Sequence, residues 1–295
     1  MMGKLDRCLG IALVYMFLQV LLMLTSAYAL TLSPAEKFLV GARLEKIQEE
    51  TKEKARDTFS SFLSSGLRVS NSKDIVVIFP GAGGPDQFTS ELCEAMKAGR
   101  NEIEISGDCH SCVEVFDWSE HRGSIATAAF DAEAVGESVA DVIFNLNEVD
   151  SIRSIHSVGI SVGGFAGNAF ARRTKELGSK YVRLTLLDPF CSRGLLGVGY
   201  GAKNFGLGVD FAEHYMNTDD PVPTTNDPLP NCAVIDVTNC NERKKFALPE
   251  GETMHTWPLV YFARHVLHNQ DVEGRIRLPL HSDDDMFGRG SILTR

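Results

Sequence analysis

Basic side chains are scarce: 29 Lys and Arg stand against 39 Asp and Glu, a formal net charge of −10 over 295 residues. General nucleic-acid binding needs a basic surface to neutralise phosphates, and this balance excludes it. Electrostatic docking on anionic lipid is excluded too, although insertion of apolar side chains does not depend on charge. Internal repeats and Pro/Ser-rich linkers are missing, so one large domain is the better count. No Asn-x-Ser/Thr triplet occurs, and N-glycosylation is not expected. What is present is apolar mass. With 44% hydrophobic and 23% charged residues, the chain can build a full core and is not disordered, collagen-like or low-complexity.

The longest apolar run lies at the start. Lys4 and Arg7 precede residues 11–24, which are interrupted only by Gln19, and Ala27-Tyr28-Ala29 offers small residues to a signal peptidase. This is the pattern of a secretory signal peptide over residues 1–29. The alternative is an uncleaved membrane anchor, since residues 8–24 fall just short of the roughly 18–20 a spanning helix prefers. The expected location is therefore secreted or in the secretory-pathway lumen, or N-terminally anchored. Cleavage leaves 27 basic against 38 acidic side chains and six cysteines: Cys93, Cys109, Cys112, Cys191, Cys232 and Cys240. An even count in an exported chain suggests disulfides. Cys109-His-Ser-Cys112 lacks a thioredoxin-like βαβ context and reads as part of a structural bridge, not as a redox motif.

Ser33-Pro34-Ala35-Glu36 is a capping box with Pro at the first helical position, and it opens an amphipathic helix to about residue 63. Phe38, Leu39, Leu44, Ile47, Phe59 and Phe62 mark the face expected to pack, within an N-terminal helical segment 30–70. The texture then changes. Residues 75–79 (IVVIF) are a short, fully apolar strand of the kind found in parallel sheets covered on both faces. Further strands are expected at 113–116, 155–160, 182–187 and 233–237, with a weaker one at 211–216. Helical patterns lie at 88–97, 124–146, 162–177 and 258–267. The alternation predicts a single-domain α/β fold, a doubly wound, mostly parallel sheet with helices on both faces, over residues 71–280. The tail 281–295, with Asp283-Asp284-Asp285, reads as solvated and frayed.

Gly159-Ile160-Ser161-Val162-Gly163 follows a predicted strand and precedes a helix rich in Ala and Gly, the context of a nucleophile elbow. Ser161 would sit on a tight turn that lifts its hydroxyl above the sheet. Side chains at 159 and 163 would collide with neighbouring backbone. Acyl transfer also needs an oxyanion hole, and Pro80-Gly81-Ala82-Gly83-Gly84 follows the first core strand. The N–H of Ala82 or Gly83 would join that of Val162 there. The same loop lacks the Lys of a phosphate-binding loop and the spacing of a dinucleotide fingerprint. A base must follow later, and His255, after the last predicted strand, has the place that the order Ser…Asp…His gives it. His265 and His268 read as surface or packing residues.

These segments resemble the pancreatic-lipase-related branch of the α/β-hydrolases. VFDW (115–118) with the helix that follows, IHSVGISVGGFAGNAFARR (155–173), RLTLLDPF (183–190) and His255 with Tyr261-Phe262 carry the resemblance. It covers residues 75–190 well and 205–265 loosely. Ile160 stands where the family usually has His or another polar or aromatic residue, and Pro80-Gly81 replaces its His-Gly. The family's lid cysteines and its second, lipid-binding domain are not recognisable. The resemblance implies a Ser-His-Asp triad with Asp188 as acid. Asn217-Thr-Asp-Asp220-Pro-Val-Pro223 resembles instead the fungal-type lipases, whose acid lies one strand later and would be Asp220. Asp236, mid-strand, is a third option. Cys191 and Cys240 follow the carboxyl ends of strands and are the preferred disulfide pair.

Residues 193–208 are glycine-rich yet carry Leu195, Leu196, Tyr200 and Phe205, the expected acyl-binding loop or small lid. Trp118 and Trp257 read as packing residues. The expected activity is hydrolysis of carboxylic esters, lipase- or esterase-like, on a small-molecule or lipid ester. A non-catalytic lipid-binding protein on the same scaffold, or a thioesterase or peptidase with the same triad, is the alternative. No cofactor, no metal and no protein partner are expected.

Overall fold

A computed structural model describes residues 33–64, 74–104, 111–121, 128–147, 152–193, 199–222, 224–267 and 289–295. The expected signal segment, residues 1–29, lies outside them, and no helix among the described residues is long and apolar enough to cross a membrane.

The chain opens with α1 (Pro34–Ser64). Its capping box forms as the sequence predicts: the Ser33 N–H and hydroxyl donate to the Glu36 carboxylate at 2.8 and 2.7 Å. There follow β1 (Asp74–Phe79), α2 (Gln87–Glu104), β2 (Ser111–Val115), α3 (Ala128–Leu146), β3 (Ser154–Ile160) and α4 (Gly163–Glu176). Then come β4 (Tyr181–Leu187), α5 (Tyr200–Asn204), β5 (Phe211–Met216), β6 (Ala233–Asp236), α6 (Trp257–Tyr261) and β7 (Ile292–Thr294). Six of these strands match the expected ones to within two residues at each end.

All seven strands are parallel, in the order β2-β1-β3-β4-β5-β6-β7. Strand β1 is buried along its whole length, and its alternation divides it between two cores. Ile75, Val77 and Phe79 pack with α3 and α4 on one face; Val76 and Ile78 pack with α2 and α6 on the other. Helix α1 forms an outer layer on α3. Of its described side chains, Ala55 is buried, Lys52 pairs with Glu137 at 2.7 Å and the Ser138 hydroxyl donates to the Lys52 carbonyl. The side chains of Phe38, Leu39, Leu44, Phe59 and Phe62 lie outside the described set.

The tail corrects one expectation. Ile292–Thr294 is not frayed but pairs in parallel with β6, Val234 against Ile292 and Asp236 against Thr294. The free edge of β6 presents unpaired N–H and C=O groups, and a short extended segment satisfies them at little cost. Residues 281–288 lie outside the described set.

A buried polar ladder crosses the sheet towards the amino ends of three strands. His156 Nε2 meets Thr185 Oγ1 at 2.8 Å, the Thr185 hydroxyl donates to Glu213 at 2.5 Å, and Arg183 Nε donates to the same carboxylate at 3.1 Å. Glu213 is fully buried. Removing either member of that ion pair would strand the other charge, typically at about 3–5 kcal/mol.

The topology fixes where chemistry can occur. The chain steps outward from β1 to β2 and then returns to the other side of β1 as β3, after which the strands progress in order. That reversal opens a crevice at the carboxyl ends of β1 and β3.

Candidate active site

Ser161 stands at this carboxyl edge, directly after β3 and before α4. Its backbone is left-handed, φ 53°, an uncommon state for serine that costs energy and clusters at functional sites. The turn is held by its own hydrogen bonds. The Ser161 N–H donates to the Leu187 carbonyl at 3.1 Å, while its carbonyl accepts from Gly164 at 2.9 Å and Phe190 at 3.1 Å.

The flanking glycines are there for room. A Cβ at Gly163 would lie 2.3 Å from the carbonyl oxygens of both Phe79 and Pro80, and one at Gly159 would lie 2.7 Å from the Gly164 Cα. Helix α4 can therefore start directly against the end of β1. Its first N–H groups, Val162 among them, have no partner within the helix, which is a general property of helix amino ends.

The loop after β1 comes to the same place. A Cβ built on Gly81 would lie 3.3 Å from the Ser161 Cβ. The Gly84 N–H closes a turn onto the Gly81 carbonyl, and Trp118 Nε1 donates to the Pro80 carbonyl at 2.8 Å. Ala82 and Gly83 are exposed at the tip. Val162 follows Ser161 directly in the chain, and the loop that carries Ala82 and Gly83 approaches Ser161 at Gly81.

His255 arrives from a 3-10 turn (Met254–Thr256) that leads into α6. Thr253 Oγ1 accepts from the His255 N–H, and Trp257 Nε1 donates to the Val237 carbonyl at 2.9 Å, tying the helix to the end of β6. His255 Nδ1 lies 2.9 Å from Asp188 Oδ2 and 2.6 Å from Asp220 Oδ2. The two candidate acids are therefore not alternatives in space: both reach the same nitrogen. Nε2 is buried and makes no hydrogen bond, to Ser161 or to any other described group.

Each carboxylate has its own support. Asp188, left-handed at φ 48°, accepts from the Asn217 N–H at 3.1 Å through Oδ1. Asp220 accepts from the Val222 N–H at 3.0 Å and from the Thr225 hydroxyl at 3.1 Å. Asn217, fully buried, also donates through Nδ2 to the Met254 carbonyl at 3.0 Å, so one side chain clamps the histidine turn to β5. In the sequence, the only signal for this role of Asn217 is its place in the Asn/Asp/Pro cluster after β5. Asp236 does not join the site, because its carboxylate is engaged by the N–H and hydroxyl of Thr238.

Burial pushes the Asp188 carboxyl up to about 7; His255 pulls the other way, and neighbouring Asp220 adds to the rise. Burial works against a charge on His255 as well, but its bonds to Asp188 and Asp220 outweigh it and hold the imidazole at about 9. For Asp220, burial is outweighed by the His255 and Asp188 bonds, and its carboxyl falls below the usual value. The charge therefore rests on Asp220 and the imidazole.

Asp188, Asp220 and His255 are also the one group of three His/Cys/Asp/Glu donors, among the described residues, whose ligand atoms lie within 4.8 Å of one another. Nδ1 stands at hydrogen-bond length from both oxygens. The distances are those of an imidazole N–H placed between two acceptors.

The other candidate residues divide. Leu195 and Leu196 lie outside the described residues. Phe205 is fully buried, its ring 4.9 Å from that of Phe165, so it is a residue of the core and not of an exposed loop. Tyr200 stacks on Phe165 and lies under the Arg193 guanidinium. It lines a polar cavity of about 230 Å³ with Lys52, Glu133, Glu137 and Arg172, which corrects the expectation of an apolar substrate contact there. Trp118 and Trp257 are buried packing residues, as expected.

The expected Cys191–Cys240 bridge is not formed; Cys93, Cys112, Cys191, Cys232 and Cys240 are all free. Cys191 and Cys240 belong to the cores on opposite faces of the sheet. A place near a strand end does not set which face of the sheet a side chain takes. Cys109 lies outside the described residues.

Fold and site together define an α/β protein in which a serine on a strand–turn–helix elbow shares the carboxyl edge of a parallel sheet with an imidazole held by two carboxylates. A scan against protein-family models, a search of curated proteins and a search of solved structures each returned no match.

Proposed function

We propose that the protein is a serine hydrolase of the α/β-hydrolase type that cleaves carboxylic esters, lipase- or esterase-like and acting in the secretory pathway or outside the cell. The observation that carries this reading is the environment of His255. Nδ1 is fixed by carboxylates, one of them at the strand end next to that of Ser161, while Nε2 is left unbonded. That division of the ring fits a general base: the held nitrogen sets the tautomer and the other is free to take a proton.

In the reaction, Ser161 Oγ attacks the ester carbonyl and its proton passes to His255 Nε2. The carboxylates stabilise the imidazolium that forms. The N–H groups of Val162 and of Ala82 or Gly83 receive the developing oxyanion. Collapse of the tetrahedral intermediate expels the alcohol, which takes the proton from His255, and water repeats the sequence on the acyl-enzyme. The absence of a bond from Nε2 suits an unliganded site, where catalytic hydrogen bonds tighten only once substrate binds.

Labelling with a fluorophosphonate probe tests the reading. Wild-type protein should label and Ser161→Ala should not, with ester turnover lowered roughly 10⁴–10⁶-fold. Labelling of neither protein, or of both equally, would favour a non-catalytic lipid-binding role instead.

A further inference from the structure

We infer that Asp188 and Asp220 are a redundant pair of positioning residues, either of which can hold the Nδ1–H of His255 when the other is lost. The inference rests on the hydrolase reading for its meaning, but its geometry stands without it.

The two carboxylates come from different strands and are held independently. Asp188 directly follows β4 and is fixed by the Asn217 N–H; Asp220 follows β5 and is fixed by Val222 and Thr225. Loss of either leaves the other's supports in place. Both place Oδ2 within hydrogen-bond distance of one nitrogen, which has one proton to give. The two carboxyl groups also act on each other's ionisation, raising that of Asp188 and lowering that of Asp220.

Two carboxylates this close do not ionise equally. Asp220, with the shorter bond to Nδ1, is the charged acceptor. Asp188 keeps a proton into the neutral range and donates it to Asp220. Removing Asp220 takes away the charge that disfavours ionisation of Asp188. The survivor then ionises and takes the Nδ1–H itself, 2.9 Å away. Removing Asp188 leaves the Asp220 contact as it stands. Among the described residues, Asp188 and Asp220 are the charged or titratable groups that act most on the imidazole. Asn217, Met254 and Thr253 are neutral neighbours, and the Cys191 thiol beside Asp188 is pushed up to about 12 by burial and stays protonated.

In a triad with one acid, an amide in its place allows the wrong imidazole tautomer and lowers turnover about 10⁴-fold. Here a single amide leaves a carboxylate to enforce the right one. The test compares Asp188→Asn, Asp220→Asn and the double variant with wild type in the full chain, by kcat/KM for a soluble ester and by NMR titration of the His255 imidazole. Each single variant should lose about tenfold or less in kcat/KM, and its imidazole pKa should fall by about one unit or more. The double variant should lose about 10⁴-fold, with the imidazole at or below its ordinary value, because burial then acts unopposed.

If one single variant falls as far as the double while the other changes neither readout, that residue alone is the acid and the inference is overturned. It is equally overturned if both single variants fall as far as the double. Should a variant fail to fold, the wild-type imidazole carries the test. Its ring shifts should titrate in two steps, near 7 as Asp188 loses its proton and near 9 as the ring does, and a single step rules the pair out. Failure of the hydrolase reading is distinguishable, because an inert protein would still give the two-step titration.

Discussion

Ser161 and Asp188 occupy equivalent positions on neighbouring strands: each follows one member of the pair Ile160–Leu187, and each is left-handed, at φ 53° and 48°. Strands in one sheet lie about 4.8 Å apart, so two strained turns side by side bring a hydroxyl and a carboxylate to one edge. Strain of about 1–3 kcal/mol per such residue persists only where surrounding contacts impose it. Here the Ser161 N–H to Leu187 bond and the Asp188 N–H to Tyr215 bond (2.9 Å) impose it.

The charge state of His255 sets the pH response. A general base must be neutral to accept a proton, and the imidazole holds its own proton up to about 9. Activity should therefore be low in acid and rise through pH 7–9, with the limb of kcat/KM centred near 9 and not near 6.5. A pH–rate profile on a soluble ester, corrected for its spontaneous hydrolysis, checks this. A limb at 6–7 would mean that the carboxylates do not hold the ring as described.

Gly163→Ala tests the packing that makes the elbow. Its methyl would fall 2.3 Å from two backbone oxygens of the β1 end, which cannot move without disturbing the sheet. The expected cost is about 3–5 kcal/mol, or a fall of roughly 6–15 °C in Tm for a domain of this size. Gly83→Ala is the control: its Cβ meets nothing within 4 Å, and its Tm should stay within about 2 °C of wild type.

The thiols can be counted. Five described cysteines are free and buried, so alkylation without reductant should be slow in the native protein. In denaturant, still without reductant, it should add at least five adducts, assigned by mass to Cys93, Cys112, Cys191, Cys232 and Cys240. A Cys191–Cys240 disulfide would remove two of them.

Much of the fold was legible because its signals are local. Apolar runs such as 75–79 mark strands buried on both faces, and glycine around Ser161 marks a turn with no room for side chains. The capping box at Ser33 and the place of His255 were readable for the same reason. The β7 pairing was not, since three residues carry little periodicity and an open strand edge is visible only in three dimensions. Phe205 and Tyr200 look in sequence like an apolar substrate loop; only packing put one in the core and the other beside Glu133 and Arg193.

By itself the sequence determined an α/β alternation, a serine on an elbow, a glycine loop beside it and a histidine late in the chain. It also named two aspartates and offered them as rivals. Tertiary structure decided otherwise, because Asp188 and Asp220 stand 67 and 35 residues from His255 and no local pattern reports a contact across such separations. The order of the parallel strands brings the ends of β4 and β5 next to each other, and both carboxylates come within reach of one imidazole nitrogen.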